Sequence, residues 1–578
     1  MEGTFEKKKL NYKKSFLIEK LENFTLPKEV EKGNVEYKLK LVNPPVERIN
    51  HLTTQMKWRL AEGHGEMLYE IGVADNGTLV GLSDEDLIAS IATLKIMASQ
   101  LSAEITVVSE KLVEGTGRKV AEILVRKGFN ALDHFLEIRI AIIGNQDAGK
   151  STFLSVLSQG QLDNGRGKAR LNLLRHRHEI ESGRTSSISK EVIGFDSSGE
   201  MINYAKSDVT SVEQVCELST KIVTFLDLPG FQKYQMTTIS GLSGSNPDYA
   251  CLVLSATSGG LNTVSSEHIG ISVHLNVPIF IVLTKIDIAS GEIFTKTLNS
   301  LFHTLKSPYV RRIPIIAQQD DFSWMENFTS LRVIPIFLVS SVTGENFSLL
   351  EKFFNILPKP LSENDEKLLE GEAEFNIEEI YEVPGVGSVV GGLLSSGRIN
   401  LQTWAGKQQI FYVGPDSKGN FEKVLLHSIH RQRCPVKHIK AGQAATIAVN
   451  LIDAPIEPDA KVFYYRKGQV ILSYPPDLNN NICWEFNCEL YSLQKSKFSL
   501  NHSDDEIINF PSQGMVYCGN IRQAARVVKL LEIESDSISA DLRYFKVRFK
   551  FQKEQEWVKI GQTIIFRSDE LKFVGKIV

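Results

Sequence analysis

The sequence lacks any long hydrophobic run. No stretch of roughly 18 apolar residues, the length typical of a membrane-spanning helix, occurs anywhere in it. Its first residues also do not combine a basic region, an apolar run and a cleavage site. These absences argue against a membrane-embedded or secreted protein, and we expect a cytoplasmic chain without a membrane partner.

Cysteine is scarce, and neither sign of charge is in large excess. The six cysteines show no paired spacing of the kind used in metal or redox sites, which favours reduced thiols in apolar cores. The formal net charge of −4 excludes a globally basic nucleic-acid binder, although not a local basic face. We therefore expect no DNA partner.

The length of 578 residues is too great for one hydrophobic core and predicts several domains. Residues 1 to 45 are charged and weakly periodic, which is typical of a flexible tail or of loosely packed strands. Residues 46 to 136 combine helical apolar spacing after Ser83, a preferred N-cap residue, with two strand-like runs. We predict a small α+β region there.

From residue 137 to residue 360 apolar strands alternate with helix-length segments. Continuous runs of Ile, Val and Leu favour a mostly parallel sheet covered by helices on both faces. Residues 361 to 468 and 469 to 578 show short strands, glycine turns and almost no long helix. We predict two β-barrels in series for these last two segments.

The segment GNQDAGKS, residues 144–151, has the form G-x-x-x-x-G-K-[ST] between an apolar strand and a helical segment. In this context backbone N–H groups curl around phosphates, Lys150 reaches the β- and γ-phosphates, and Ser151 binds Mg²⁺. A simple glycine-rich turn is the alternative, which the flanking strand and helix disfavour. The predicted phosphate-binding residues are Gly144, Asn145, Gln146, Asp147, Ala148, Gly149, Lys150, Ser151 and Thr152.

A second motif, DLPG at residues 227–230, follows the strand-like run IVTFL. Asp227 is placed to hold the Mg²⁺ shell, and the N–H of Gly230 to meet the γ-phosphate. The pattern D-x-x-G is common by chance, but its position after a P-loop makes the assignment specific.

Two later motifs predict the base. In TKID, Asp287 can accept two hydrogen bonds from guanine N1–H and N2–H₂, which adenine cannot match, and the stem of Lys285 would lie along the base. Thr284 occupies the usual asparagine position, so one base contact is shortened or replaced. A solvated turn after a strand is the alternative. The loop that meets guanine O6 is predicted at Ser340, Ser341 and Val342.

All four motifs follow strands in chain order, at the edge where open α/β sheets bind ligands. We therefore expect GTP or GDP, with Mg²⁺, as the cofactors.

The segment LDNGRGKARLNLLRHRHEIESGRTSS, residues 162–187, closely resembles the switch region of the eukaryotic GTP-binding protein 1 and 2 family, relatives of elongation factor 1-alpha and elongation factor Tu. The similarity runs from about residue 53 to near the C-terminus and includes EIYEVPGVGSVVGGLLSSG, AGQAATIA and GNIRQAARV. It implies an α/β P-loop GTPase domain followed by two β-barrels and preceded by a small α+β region.

The resemblance also implies that Thr185, in ESGRTSS, is the switch I threonine, which reaches Mg²⁺ and the γ-phosphate only in the GTP state. From the residues alone, the same stretch is equally typical of a polar flexible loop. The resemblance implies further that the barrels hold the acceptor arm of aminoacyl-tRNA and contact the ribosome. We expect a monomer that acts in elongation or on stalled ribosomes.

Direct support for RNA binding is limited to two basic stretches. RGKARLNLLRHRH, residues 166–178, carries five Arg or Lys residues, which is dense enough to meet phosphates. HSIHRQRCPVKHIK, residues 427–440, is the second stretch. Each is as often a solvated face.

Close relatives carry D-L-A-G-H where this chain carries D-L-P-G-F. Phe231 therefore stands where a histidine orients the attacking water, and its ring can neither donate nor accept a hydrogen bond. Losing a catalytic donor of this kind costs on the order of 2 to 4 kcal/mol, or roughly 10²- to 10³-fold in rate.

Three hypotheses follow for hydrolysis. In the first, which we prefer, GTP is hydrolysed slowly with the help of Lys150, Thr185 and Gly230, and the ribosome stimulates the reaction. In the second, Gln232 replaces the histidine through a shift of one residue, which the preserved spacing of the motif disfavours. In the third, hydrolysis is lost and the protein is a GTP-gated module that binds RNA or protein. Phe231 in a hydrophobic gate is compatible with the first and the third.

Overall fold

The structure of the protein, a computed structural model, describes most of the chain in four successive groups of elements. The described residues are 26–30, 33–113, 115–128, 135–174, 177–182, 185–205, 209–307, 310–318, 322, 324–360, 365–401, 409–452, 464–476, 481–492, 510–535, 543–568 and 572–578. In this part of the chain no helix is both long and apolar enough to cross a membrane.

The first group is a four-stranded sheet of order β1-β2-β4-β3 with two helices. Its second helix begins as predicted, because Ser83 Oγ accepts a hydrogen bond from the N–H of Asp86 at 3.2 Å and satisfies one of the free N–H groups of the first turn. The elements are β1 (Val35–Lys38), α1 (Val46–Glu62), β2 (Glu66–Ile71), α2 (Asp84–Gln100), β3 (Ala103–Leu112) and β4 (Lys119–Lys127).

Of the two alternatives for residues 1 to 45, a flexible tail or loosely packed strands, β1 is a strand. This strand pairs in parallel with β2, and Tyr37 within it is 1% exposed. Its charge is neutralised inside the fold, because the buried Glu36 accepts a hydrogen bond from Arg59 Nε at 2.7 Å. The partner lies 23 residues further along the chain, so local composition does not reveal it. Residues 1 to 25 lie outside the described residues.

The second group is built on an eight-stranded sheet of order β11-β12-β10-β9-β5-β8-β6-β7. Neighbours from β11 to β8 pair in parallel, and β6 and β7 add an antiparallel edge, so the predicted mostly parallel sheet is confirmed. The strands are β5 (Leu136–Ile143), β6 (Ser189–Phe195), β7 (Met201–Ile202), β8 (Lys221–Asp227), β9 (Tyr249–Ser255), β10 (Ile279–Thr284), β11 (Ile313–Ile316) and β12 (Val333–Leu338).

Helices cover both faces of this sheet, as predicted. Along β5, Ile140 and Ile142 pack in one core with α3 and α10, whereas Ala141 and Ile143 pack in the other with α6, α7 and α8. The helices are α3 (Lys150–Gln159), α4 (Arg177–Ser182), α5 (Val212–Leu218), α6 (Gln235–Gly244), α7 (Thr263–His274), α8 (Gly291–Leu305), α9 (Met325–Thr329) and α10 (Phe347–Ile356).

The third group follows α11 (Asp365–Glu370) and is a ring of six strands in the order β16-β21-β13-β14-β20-β17, which the pairing of β17 with β16 closes. Three short strands lie beside the ring. The ring strands are β13 (Glu374–Val383), β14 (Gly387–Ser396), β16 (Phe411–Gly414), β17 (Glu422–Arg431), β20 (Ala444–Leu451) and β21 (Val470–Leu472), and the short ones are β15 (Arg398–Asn400), β18 (Cys434–Val436) and β19 (His438–Lys440).

The predicted division between the barrels at residues 468 and 469 falls too early. β21 pairs with both β13 and β16, so Val470–Leu472 belongs to the third group. A strand of three residues carries too little pattern to be assigned to a sheet from sequence.

The fourth group is a closed barrel of six strands, which confirms a barrel at the end of the chain. Its strands are β23 (Glu485–Ser492), β24 (Gln513–Cys518), β25 (Ile521–Ser535), β26 (Arg543–Phe551), β28 (Thr563–Arg567) and β29 (Lys572–Ile577), and β22 (Ile482–Cys483) pairs separately with β27 (Glu556–Trp557).

A buried ion cluster joins the first group to the second. Glu66 accepts hydrogen bonds from Arg126 Nε at 2.6 Å and from Lys221 Nζ at 2.9 Å. Lys221 Nζ also donates to the carbonyls of Asn355 and Leu357, at 2.6 and 2.7 Å. Burial lowers the pKa of Lys221 to about 8, against the opposing effect of Glu66. Each buried charge in this cluster therefore has partners within the chain.

Candidate nucleotide-binding site

The loop between β5 and α3 has the backbone that a phosphate cradle requires. Gly144, Asp147 and Gly149 have φ angles of 141°, 59° and 91°, in the region that favours glycine. A Cβ on Gly144 would collide with the carbonyl oxygen of Val253. Gly149 precedes α3 without a side-chain cap, so N–H groups at the start of this helix are available to an anion.

Lys150 lies inside this loop and is 6% exposed. Its Nζ donates to the carbonyls of Gly144 and Asn145, at 3.2 and 3.0 Å. Burial lowers the pKa of Lys150, and Asp227 is the strongest opposing influence. Gly230 lies against the amine so closely that a Cβ there would collide with it. The structure thus brings the P-loop lysine and the D-x-x-G glycine together, as their motifs predict.

The three predicted metal ligands also meet at one point. Ser151 Oγ donates to Asp227 Oδ2 at 2.6 Å and lies 3.0 Å from Thr185 Oγ1. Within the described residues, Asp227 Oδ1 is buried and has no hydrogen-bond partner. Burial raises the pKa of Asp227, and Lys150 opposes this effect.

These residues fit a phosphate and a divalent cation. Burial shifts the pKa of Lys150 and of Asp227 toward the neutral form of each group, so their mutual attraction does not offset the loss of hydration. A phosphate beside Lys150 and a cation beside Asp227 would supply the missing counter-charges. The converging oxygen atoms of Ser151, Thr185 and Asp227 are the donor type that Mg²⁺ prefers.

At the predicted base-binding end, Thr284 ties the P-loop to the sheet. Its hydroxyl donates to the carbonyls of Ala148 and Leu254, at 2.6 and 3.1 Å, and it is 2% exposed. A hydroxyl has one hydrogen, so Thr284 cannot also donate to the base. Thr284 therefore lacks the hydrogen bond to the base that an asparagine would make, but it still supports the P-loop. Lys285 adds a second tie, from Nζ to the carbonyl of Asp147 at 2.7 Å, and Asp287 is half-buried beside it.

The predicted guanine O6 loop follows β12. Ser340 is fully buried, and its Oγ accepts hydrogen bonds from the N–H groups of Val342 and Thr343, at 3.3 and 3.1 Å. The N–H of Val342 is therefore already directed at Ser340 in this structure. The carbonyl of Ser341 accepts a hydrogen bond from the N–H of Asp163 at 2.9 Å, which places the loop after α3 beside this one.

Asp163 is a functional candidate that the sequence reasoning missed. Its carboxylate accepts hydrogen bonds from the N–H groups of Gly165, Gly167 and Ala169, at 2.9, 3.0 and 3.0 Å. These bonds lower its pKa, although burial acts in the opposite direction. The run D-N-G-x-G could have indicated such a turn, because Asp favours bonds to backbone N–H groups a few residues on.

Phe231 is half-buried and lies beside Tyr234, with ring centroids 6.0 Å apart in an edge-to-face arrangement. The helix that follows contacts both its own group and the last barrel, since Gln235 donates to Glu267 of α7 at 2.7 Å and accepts from Arg567 of β28 at 3.0 Å. Of the two histidines in the first basic stretch, His178 is exposed. His176 and the side chain of Gln232 lie outside the described residues.

In the second basic stretch Arg431 makes a contact inside the protein, whereas Arg433 and Lys437 are exposed. Arg431 is 3% exposed, with its guanidinium 4.5 Å from the Phe135 ring and 3.5 Å from Glu137. Gln432 also bonds to Glu137, at 2.8 Å. Arg431 is therefore unavailable to RNA. In the first stretch, Arg166 and Lys168 are exposed, and Arg175 lies outside the described residues.

Comparison with known proteins gives the class first. Residues 137–359 match the family model of the elongation factor Tu GTP binding domain. The GTPase-like domain of Ski7 from S. cerevisiae, bound to GTP, has the same fold, with a TM-score of 0.55 and 15% identity over 77% of this chain and 98% of that one. The fold and the match define a guanine-nucleotide-binding protein of the translational GTPase class.

The family follows from two relatives that match nearly the whole chain. GTP-binding protein 2 of Mus musculus is 44% identical over 560 residues, which are 96% of this chain and 88% of the relative. GTP-binding protein 1 of Xenopus laevis is 41% identical over 548 residues, 94% of this chain and 78% of the relative. The chain belongs to the GTP-binding protein 1 and 2 family.

Proposed function

We propose that this chain binds GTP with Mg²⁺ between the P-loop and β8, and hydrolyses it slowly to GDP and phosphate. The observation that carries the proposal is the meeting of Ser151, Thr185 and Asp227 beside the buried Lys150. Residues far apart in sequence converge there, and two of them are buried charges without sufficient counter-charge.

Each residue has a proposed role. The backbone from Gly144 to Gly149 and the amine of Lys150 hold the β- and γ-phosphates, and the N–H of Gly230 meets the γ-phosphate. Mg²⁺, when bound, neutralises phosphate oxygen charge, and Ser151, Thr185 and Asp227 are its proposed ligands. Phosphate contacts continue through Asn145, Gln146, Asp147, Ala148 and Thr152. Base contacts come from Lys285, Asp287, Ser340, Ser341 and Val342, while Thr284 supports the P-loop.

Phe231 sets the expected rate. Its ring cannot orient water, and its contact with Tyr234 is compatible with a place in an apolar gate. Hydrolysis then depends on Lys150, Thr185 and Gly230, and we expect it to be slower by roughly 10² to 10³ than with a histidine donor. Stimulation by the ribosome would restore useful turnover.

The partners in the proposal come from the family and from the two barrels. Translational GTPases of this architecture carry aminoacyl-tRNA to the ribosome, and we propose aminoacyl-tRNA and the ribosome as partners in elongation or stalled-ribosome handling. A cytoplasmic monomer without DNA or membrane contacts suits this role. We also propose domain boundaries near residues 136/137 and 360/361, with β1 included in the first domain because it pairs with β2, and with the barrels divided after Leu472.

A second function is favoured by one observation, the apolar side chain at position 231. In this alternative the protein binds GTP and closes its switch but does not hydrolyse the nucleotide. It would then be a GTP-gated module for RNA or protein.

Single-turnover GTP hydrolysis, measured with and without ribosomes and aminoacyl-tRNA, separates the two. Wild type should be slow alone and accelerate with ribosomes, and Phe231→His should be faster in both conditions. Phe231→Leu is the matched control, because it keeps an apolar side chain and should behave like wild type. If ribosomes do not raise the hydrolysis rate of wild type but do raise that of Phe231→His, the second function, a GTP-gated module, is correct. If none of the proteins binds guanine nucleotide, the proposal is wrong.

A further inference from the structure

The chain between α3 and β6 returns to the P-loop through a short helix. α4 ends at Ser182, and β6 begins at Ser189, which is paired with Asp227 at the end of β8. Thr185 lies between them, with Oγ1 3.0 Å from Ser151 Oγ. Something must hold this irregular segment in place, because no strand or helix includes residues 185–188.

Glu179 of α4 is the group that holds it. The residue is 2% exposed. Its Oε1 accepts hydrogen bonds from the N–H and the hydroxyl of Ser186, both at 2.7 Å. The same oxygen accepts from the N–H and the hydroxyl of Ser187, both at 3.2 Å. The hydroxyl of Ser186 also lies 2.8 Å from His178 Nε2.

Two consecutive N–H groups that point at one oxygen form a small anion-binding concavity in the backbone. A buried carboxylate is stable only when such donors surround it, and bonds to an ionised acceptor are stronger than neutral ones. The carboxylate of Glu179 and the backbone shape at Ser186 and Ser187 therefore depend on each other.

The peptide bond before Ser186 carries this constraint to Thr185. A trans peptide is planar, and its N–H and C=O point in opposite directions. Since the N–H of Ser186 is directed at Glu179, the carbonyl of Thr185 is directed away from it. The same anchor fixes the position of the Thr185 side chain, which faces Ser151.

We propose that Glu179 is a positioning residue for switch I, which holds Thr185 in the orientation required in the GTP state. The inference rests on the proposed function, in which Thr185 contacts the nucleotide site only when the γ-phosphate is present. The bonds that act through Thr185 then stabilise the GTP complex and leave the GDP complex unchanged, because only a difference between two states shifts their equilibrium. The charge of Glu179 also acts on Asp227, but Glu179→Ala and Glu179→Gln both remove that charge, so a difference between these two variants reports on the bonds.

The test compares affinities for a non-hydrolysable GTP analogue and for GDP, by fluorescence of labelled nucleotides with Mg²⁺. Glu179→Ala removes all four bonds and should weaken the GTP analogue about tenfold or more, while GDP affinity stays within about twofold. Glu179→Gln keeps a carbonyl oxygen where all four donors converge, so it should recover most of the selectivity. Glu422→Ala is the matched control, because Glu422 is exposed on β17 of the third group.

A second measurement uses the basic residues of the switch itself. The GTP analogue should protect residues 175–187 from trypsin in wild type and in Glu179→Gln, and should fail to do so in Glu179→Ala. In single-turnover hydrolysis, Glu179→Ala should lower the maximal rate as well as apparent affinity.

Each outcome decides the inference. Equal weakening of both nucleotides by Glu179→Ala would mean a merely structural role, and no weakening of either would mean no role, so both results overturn it. If Glu179→Ala does not fold, Glu179→Gln decides, since a mild loss confined to the GTP analogue is expected and an equal loss for both nucleotides is not. Wild type that binds neither nucleotide would instead refute the proposed function itself.

Discussion

The protein buries two lysines in its central group of elements, and they differ in what surrounds them. Lys221 is fully buried, and its three donors reach Glu66 at 2.9 Å and two carbonyl oxygens at 2.6 and 2.7 Å. Lys150 is 6% exposed, and among the described residues its hydrogen bonds are two longer ones, at 3.2 and 3.0 Å. The carboxylate that acts on it most strongly, Asp227, has a buried oxygen without a hydrogen-bond partner in the described part of the chain.

Burial lowers the pKa of both lysines, so a shifted pKa does not distinguish them. The distinction is whether the chain itself completes the set of partners. We call the cluster around Lys221 closed, because its charged groups have their partners within the chain and join two parts of the fold. We call the cluster around Lys150 open, because a ligand from outside the chain would supply its remaining counter-charges. Closed clusters should affect stability, and open clusters should affect binding.

The largest expected effect is on stability, from Glu66→Ala. The substitution leaves Lys221 and Arg126 buried without their carboxylate, and breaking a buried ion pair in this way costs about 3 to 5 kcal/mol. Urea unfolding measures the change. Glu85→Ala, at an exposed position on α2, is the control and should change stability by less than about 0.5 kcal/mol. A small loss for Glu66→Ala would show that the cluster is not closed.

The ion cluster around Glu66 should lose its contribution to the free energy of unfolding in acid. Arg126 and Lys221 lower the pKa of Glu66 below its usual 4.5, despite the opposing effect of burial. Because the folded pKa is depressed, the contribution of this carboxylate is present above pH 4.5 and is lost as the pH falls through the folded value.

The next effect is on binding, from Lys150→Met. Removing the amine deletes charge-assisted bonds to phosphate, and GTP affinity should fall by roughly 10²-fold. Because a buried charge is replaced by an apolar chain, thermal stability without nucleotide should be unchanged or higher. Titration with labelled nucleotide and thermal melts test both points, with Lys296→Met, exposed on α8, as the control. Unchanged GTP affinity would contradict the view of Lys150 as part of an open cluster.

A smaller effect, of opposite sign, is expected from Asp227→Asn. Burial raises the pKa of Asp227 above 3.8, so the folded state binds this proton more tightly, and its stability falls as the pH rises through that window. Asn cannot ionise, and we expect the nucleotide-free variant to be more stable than wild type at pH 7, by about 1 kcal/mol. Melts with and without Mg²⁺ and GTP measure this. The ligands should stabilise wild type and not the variant.

The smallest effect is expected from Thr284→Asn. The Thr284 hydroxyl has no hydrogen left for the base, because it donates its single hydrogen to the carbonyls of Ala148 and Leu254. An asparagine side chain has two N–H donors and could keep the bond to the P-loop while reaching the base. We expect guanine nucleotides to bind tighter by about 0.5 to 1.5 kcal/mol. Thr343→Asn, in an exposed loop position, controls for an added amide, and a change in its affinity would argue against the base contact.

Much of the fold could be predicted because it depends on local pattern. The apolar parallel strands β5, β8, β9, β10 and β12, the helix after Ser83 and the loop from Gly144 to Ser151 each have their signal within a few residues. The motifs at 227–230 and 284–287 could be placed beside that loop, because parallel strands end at the same edge.

The parts that could not be predicted depend on distant partners. The residues of β1 could not be assigned to either a tail or a strand, because the bond between Glu36 and Arg59 joins two elements. Arg431 was a candidate for RNA, yet it packs on Phe135, 296 residues earlier. Glu179 and Asp163 are ordinary acidic residues in the sequence, and only the folded backbone directs several N–H groups at each of them.

The sequence by itself determined that a phosphate cradle forms, because glycine spacing and the strand-loop-helix order set the backbone there, and Thr284 and Lys285 then tie the loop to the sheet. Only the tertiary structure decided which buried charged groups find all their partners within the chain. Lys221 meets Glu66 across 155 residues, while Asp227 comes to lie beside Ser151 and Lys150 with one oxygen that no other described residue bonds. The physical reason is that each buried charged group loses its own hydration, whereas the groups that replace water as its partners can lie anywhere in the sequence and are brought close only by folding.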